Sequence, residues 1–324
     1  MEVKTLGFFI GFKCAAAKCR HNCCTGWQID VDDETLKKYK NYKGGYGKTL
    51  LGGVDFTGKR FRTTDGKRCA FLNKDNLCDL IINLGEDYLC DACREHPRYR
   101  NYLSDRMEYG VGVCCEESAK AVINYAATAR PVTLCDDGET PVPLSPRERE
   151  FEKTALAFRE KALGVFQNRD LSFNERVCLA FDLCGVSGRE FLAFGWKDEF
   201  LKLERLGDGW RERIENADFT ADLSAVFSDA DYSVPFEQLA AYFIHRHVIN
   251  AVDNTDLKSR LLFCVLSLYA IYAVFTGERA KADGGRILLA DVAREYSAQV
   301  EYSDENVNAL LDLTDRFAIK PTRP

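Results

Sequence analysis

Four cysteines fall within a single short stretch near the start of the chain, KCAAAKCRHNCCTGW at residues 13–27: Cys14, Cys19, Cys23 and Cys24. No other feature restricts the fold as strongly, because a segment this rich in thiols and this poor in large apolar residues has no core of its own to build. The pattern continues with Cys69, Cys78, Cys90-x2-Cys93 and the adjacent pair Cys114-Cys115, so ten of the 14 cysteines lie in the first 115 residues. Cys135, Cys178, Cys184 and Cys264 are scattered over the remainder, several of them among apolar helical residues where a thiol acts as a small hydrophobe. Neighbouring cysteines do not readily pair with each other, since a disulfide requires a Cα separation and torsion that a trans peptide strains.

In a secreted chain this density would point to disulfides. Residues 1–12, MEVKTLGFFIGF, are too short for the apolar region of a signal peptide, so the expected compartment is the cytoplasm, where clustered thiols serve metal ligation or catalysis. Zinc takes four thiolates in a closed tetrahedron, whereas iron and sulfide form thiolate-held clusters. The spacing matches neither the paired C-x2-C of zinc ribbons nor the C-x3-C-x2-C of radical enzymes that cleave S-adenosylmethionine, and both metals stay open at this point.

A net charge of -6 with interspersed charges gives no basic footprint for nucleic acid and no polybasic patch for a membrane. The longest apolar run, LLFCVLSLYAIYAVF at 261–275, is shorter than a membrane span needs and reads as a buried helix. With 324 residues, two domains are expected. Half of the eight prolines, Pro131, Pro141, Pro143 and Pro146, fall in one connection, which places the boundary near residue 130. The expected fold is α+β and mostly α, with a cysteine-rich, irregular metal-binding domain over 1–130 followed by an all-α helical domain over 131–324.

Within the first domain, 32–42 reads as a short helix, FTGKRFRTTDGKRCAFL as two short strands around an Asp65-Gly66 turn, and 116–129 as a helix. In the second, Ser145-Pro-Arg-Glu148, Ser172-Phe-Asn-Glu175 and Ser187-Gly-Arg-Glu190 have the form of capping boxes, and further helices are expected at 235–253, 256–277, 286–299 and 304–318. GGYGKT at 44–49 lacks the first glycine and the preceding apolar strand of a phosphate loop, and reads as a turn after a helix. His245 and His247, two residues apart, point to different sides of a helix, one towards the surface and one into a groove, which argues against a shared metal. His21 is an alternative ligand or a supporting residue, and Trp27 packs on the cysteine loop.

The order FKCAAAKCRHNCCTGWQIDVD, RCAFLNKDNLCDLIINLGEDYLCDACREHPR and GVCCEESAK resembles the flagellin lysine-N-methylase family, whose cysteine region is itself similar to the zinc- or iron-chelating CxxCxxCC proteins. The resemblance covers about residues 10–125 and includes Gly26-Trp27, Phe71-Leu72, Leu84-Gly85-Glu86 and Pro97-Arg98. Cys115, where the family usually has proline, and His96 depart from it.

The resemblance implies that Cys14, Cys19, Cys23, Cys24, Cys69, Cys78, Cys90, Cys93 and Cys114 bind metal as an iron-sulfur cluster, 4Fe-4S by expectation, with zinc the alternative. It also implies S-adenosylmethionine as methyl donor and flagellin, or a similar lysine-bearing protein, as acceptor. No glycine-rich dinucleotide fingerprint is present for the donor. Because a lysine amine must lose its proton before it attacks, Glu95, Glu108 and Glu116, each near a cysteine, are the candidate bases. Two rival readings are a non-catalytic, metal-stabilised scaffold and a thiol protein that handles redox or metal.

Overall fold

The first strand, β1 (Glu2–Leu6), alternates so that Val3 and Thr5 turn inward. Its partners lie far along the chain: β1 pairs in parallel with β7 (Arg106–Val111) and antiparallel with β8 (Pro131–Asp136), in a four-stranded sheet of order β6-β7-β1-β8 with β6 at Arg98–Tyr102. In this computed structural model residues 1–324 are described except 65–67, 141–142, 208, 221, 223–225, 280–284 and 320–324. The fold is α+β, and 58% of the described residues are helical.

The ladder formed by β1 explains why the chain divides elsewhere than residue 130. One unit is Lys13–Tyr99; the other joins Met1–Phe12 to Arg100–Pro324. Two backbone ladders hold the first residues to the second unit, so a change in proline content is not where the structure breaks.

The Lys13–Tyr99 unit contains helices α1 (Asp33–Asn41), α2 (Gly47–Gly52), α3 (Asp79–Leu84) and α4 (Asp91–Glu95). Between them lie the minimal strand pairs β2 (Val54–Asp55) with β3 (Arg60–Phe61) and β4 (Thr63–Thr64) with β5 (Arg68–Cys69). Helix α1 starts where expected because the Asp32 carboxylate accepts from Thr35 N–H. The expected hairpin forms with Thr63 opposite Cys69; its Asp65-Gly66 turn lies outside the described residues. GGYGKT is a turn, Gly47 N–H donating to Gly44, that leads into α2. A small core of Ile29, Val31, Leu36, Tyr39, Leu50, Phe61, Phe71 and Leu80 binds these pieces together.

In the other unit α5 (Glu116–Asn124) is shorter than expected, and β8 shows that the region after 130 is not wholly helical. Proline is tolerated in β8 because Pro131 opens the strand at the sheet edge. The helices that follow are α6 (Pro146–Phe166), α7 (Phe173–Cys184), α8 (Gly188–Leu192), α9 (Trp196–Lys202), α10 (Gly209–Asn216), α11 (Ser233–His247), α12 (Asn254–Arg279), α13 (Gly285–Val300) and α14 (Asp304–Ile319). Complete capping boxes start α6 and α7, and Ser187 caps α8. Helix α12 is long and apolar enough to cross a membrane, but 78% of its apolar window is buried against the rest of the protein, where α11, α13, α14 and α7 surround it.

Candidate functional site

Backbone hydrogen bonds gather the thiols of the Lys13–Tyr99 unit. Cys69 N–H donates to the Cys24 carbonyl at 2.9 Å, which fastens the double-cysteine loop to β5. A bridge between Leu72 and Cys78, with Asp79 N–H donating to Phe71 at 2.8 Å, folds Cys78 back beside Cys69. Cys90 precedes α4 and Cys93 lies one turn on; Cys69 and Cys90 are buried, with Cys24, Cys78 and Cys93 packed against the same core. Trp27 closes the loop, donating from Nε1 to the Cys23 carbonyl at 2.7 Å with its ring 5.0 Å from that of His96.

Six thiols, Cys23, Cys24, Cys69, Cys78, Cys90 and Cys93, influence one another's ionisation. A hydrogen bond from Cys24 and the Arg98 charge bring Cys23 down to about 7, while the same bond and burial push Cys24 up. Cys90 is lowered by its bond from Cys93, which is itself raised. Burial lifts Cys69 to about 11 even though the N–H groups of Phe71 and Leu72 are aimed at its sulfur; those of Ile81 and Leu80 serve Cys78 in the same way. Backbone donors directed at sulfur are what a thiolate needs to stay ionised in an apolar setting.

All 14 cysteines are thiols. The donor set therefore suits a thiolate-bound metal in its chemistry, yet among the described residues no group of three or more His, Cys, Asp or Glu side chains stands close enough to hold an ion. Mutual influence on ionisation reaches further than a metal bond, so the two observations are compatible: the thiols are neighbours without being a finished coordination shell.

The other expected ligands are placed differently. Cys14 is exposed, its sulfur accepting from Ala16 N–H at 3.3 Å, and Cys19 donates to the His21 carbonyl at 3.4 Å. Cys114 belongs to the other unit, where burial raises its thiol and Tyr302 and Arg246 are its neighbours.

Of the three candidate bases, Glu95 ends α4, half-buried two residues after Cys93. Glu108 and Glu116 are in the Arg100–Pro324 unit. Glu108 is fully buried and held by both Nη atoms of Arg159, at 2.6 and 2.7 Å, and by Arg106. Burial opposes its ionisation, but Arg159, His245 and Arg106 outweigh that and hold it at about 2, which commits the carboxylate to an ion pair. Glu116, also buried, pairs with Lys120 at 2.7 Å across one turn of α5.

His245 and His247 do have different partners, as their spacing requires, but both are buried, so the expected surface position is wrong. His245 lies 3.3 Å from Glu108, and burial together with Arg159 and Arg106 lowers it to about 4, which leaves the ring neutral. His247 meets Glu301 at 2.6 Å. Glu301, buried and also bonded to Tyr242 at 2.9 Å and Arg246 at 3.3 Å, is a carboxylate that sequence reasoning missed. The only trace of it was the His-Arg-His run, which supplies its partners from another helix.

No family model and no solved structure matches the chain. Over 125 residues it is 26% identical to proteins named lysine-N-methylase in Salmonella typhimurium and Salmonella choleraesuis, a match taking in 36% of this chain and 31% of each relative. It is equally similar to the flagellar biosynthetic protein FliU of Salmonella muenchen, over 74% of that protein. The chain thus matches about a third of the length of the first two relatives.

Proposed function

We propose that the chain acts in protein lysine N-methylation, with four of the six neighbouring thiols of Lys13–Tyr99 holding an iron-sulfur cluster and S-adenosylmethionine as methyl donor. The observation that carries the reading is the gathering of those thiols by short loops and one-turn elements; the names of the relatives supply the reaction. Four of Cys23, Cys24, Cys69, Cys78, Cys90 and Cys93 would hold one such cluster, which takes four thiolates, with a four-coordinate zinc the alternative. When bound, such a group supplies cross-links between loops that have little other structure, so that binding free energy becomes folding free energy. In the transfer, the lone pair of a deprotonated lysine amine attacks the donor's methyl carbon, the carbon–sulfur bond breaks with its electron pair going to sulfur, and the amine proton is taken by a base. Glu95, two residues after Cys93 at the end of α4, is the base we propose for that role. The acceptor is a flagellin or a similar protein.

Anaerobically purified protein should contain iron and acid-labile sulfide and be brown, because sulfur-to-iron charge transfer colours a cluster whereas d10 zinc gives no colour. With S-adenosylmethionine and flagellin, mass spectrometry should find successive single-methyl increments on lysine, and the rate should rise with pH as the amine deprotonates. Colourless protein with zinc alone sinks the cluster; acceptor binding without methyl transfer at any pH sinks the enzyme. The latter outcome would favour a metal-stabilised binding module, a second reading supported by the ion-paired state of Glu108 and Glu116.

A further inference from the structure

A small hollow at the C-terminal end of α12 is walled by aromatic rings and closed by a cation of the chain itself. Tyr232 and Phe275 form one wall, their ring centroids 4.7 Å apart, and the guanidinium of Arg279 lies over both, at 4.6 Å from the first and 5.8 Å from the second. Phe227 also lines the hollow, 4.7 Å from Tyr272 and 5.1 Å from Phe236. One carboxylate stands at the mouth: Asp229 Oδ1 accepts from Asp231 N–H at 3.0 Å, which fixes the group so that Oδ2 meets Arg279. With Arg279 in place the remaining void is about 10 Å³, room for one water.

A second observation concerns the backbone. Phe227 has φ +58, in the left-handed region that a bulky side chain rarely adopts. Its ring is nevertheless buried in the lining of the hollow. Strain of this kind persists only where its surroundings over-determine it, and it collects at ligand-holding positions.

We infer that this aromatic hollow is a binding site for an alkylated ammonium ion, such as a methylated lysine side chain, with Arg279 as an internal stand-in for the ligand. Ring faces attract cations most strongly when the cation is weakly hydrated; a bare ammonium keeps its water, whereas a guanidinium or a methylated ammonium gives it up. Asp229 supplies the counter-charge. Arg279 is 39% exposed and sits at the mouth, so its side chain can swing into solvent and vacate a space suited to a cation of similar size. The inference does not depend on methyl transfer, and its test measures binding alone.

The probes are tetramethylammonium chloride and a matched pair of peptides carrying lysine or trimethyllysine, titrated by calorimetry into the full chain, with circular dichroism reporting the fold. Arg279→Ala, or Arg279→Gln should alanine fail to fold, should bind tetramethylammonium or the trimethyllysine peptide at least about tenfold more tightly than the wild type does. Adding Tyr232→Phe should change this little, and adding Tyr232→Ala should weaken it by about tenfold, the scale of a cation–ring contact. Binding of the peptide alone assigns the ligand to a protein side chain, and comparable binding of both probes assigns it to the ion itself. Folded variants that bind neither probe better than the wild type, or that take unmodified lysine as well as trimethyllysine, overturn the site.

Discussion

Glu108 is charged, has no access to water, and is tied to Arg159 by two hydrogen bonds. Glu108→Gln leaves that guanidinium buried with no counter-charge, so a loss of about 3–5 kcal/mol in denaturant unfolding is expected. Its pH signature has a definite sign. Because its folded pKa is depressed from 4.5 to about 2, its stabilisation is complete above about 4.5 and is lost as pH falls towards 2. His245 acts earlier: its folded pKa, lowered from 6.5 to about 4, means that the unfolded chain takes up a proton the folded chain refuses, so stability drops as pH falls from 6.5 to 4. His247, also lowered by burial, adds to the same slope. His245→Gln should therefore flatten the stability profile between pH 6.5 and 4 without abolishing the slope, and an unchanged profile would mean that the ring is not buried neutral. None of this was legible in the sequence. In the sequence Glu108 read as a candidate base near a cysteine and Arg159 carried no signal, and only the packing of α6 and α11 against β7 makes Arg159, His245 and Glu108 partners.

At the scale of elements, local chemistry was readable where the signal is local. Ser145, Ser172 and Ser187 each cap the helix they were expected to start, and the last three helices fall close to their expected limits, whereas α11 ends at His247, six residues before its expected end. Ser172→Ala should cost about 1 kcal/mol in thermal unfolding, since it removes the acceptor for Glu175 N–H. The short helices α9 and α10 gave no such signal, and the extent of α5 was overestimated because nothing in the sequence marks its end at Asn124. The thiol loops were readable as a set but not as an arrangement: Cys24 meets Cys69 through a cross-strand register, and Cys114 goes to the other unit, neither of which follows from spacing. Cys90→Ser or Cys24→Ser should lower bound metal in purified protein, whereas Cys264→Ser, in the core of α12, should leave it unchanged; equal metal in all three would refute the ligand set.

The whole molecule is two units of different physical character, one with a modest core among short loops and one with a continuous helical core. If the thiols of 13–99 hold metal as proposed, chelation under reducing conditions should raise hydrogen exchange across 13–99 and spare α11 and α12, because the bound group would then cross-link only the loops of the first unit. Uniform loss of protection would contradict that division. The proline-rich stretch hid it, because composition reports where a chain cannot be helical and not which distant strands it joins. The parallel pairing of Glu2 with Arg106 has a further consequence during synthesis. At about 5–20 residues per second, β1 leaves the ribosome roughly 5–20 s before β7 exists to receive it. Throughout that delay its N–H and C=O groups are an open template for other nascent chains. The whole of 13–99 emerges within the same interval, so that unit is free to fold before the sheet that ties Met1–Phe12 to the rest of the other unit has closed.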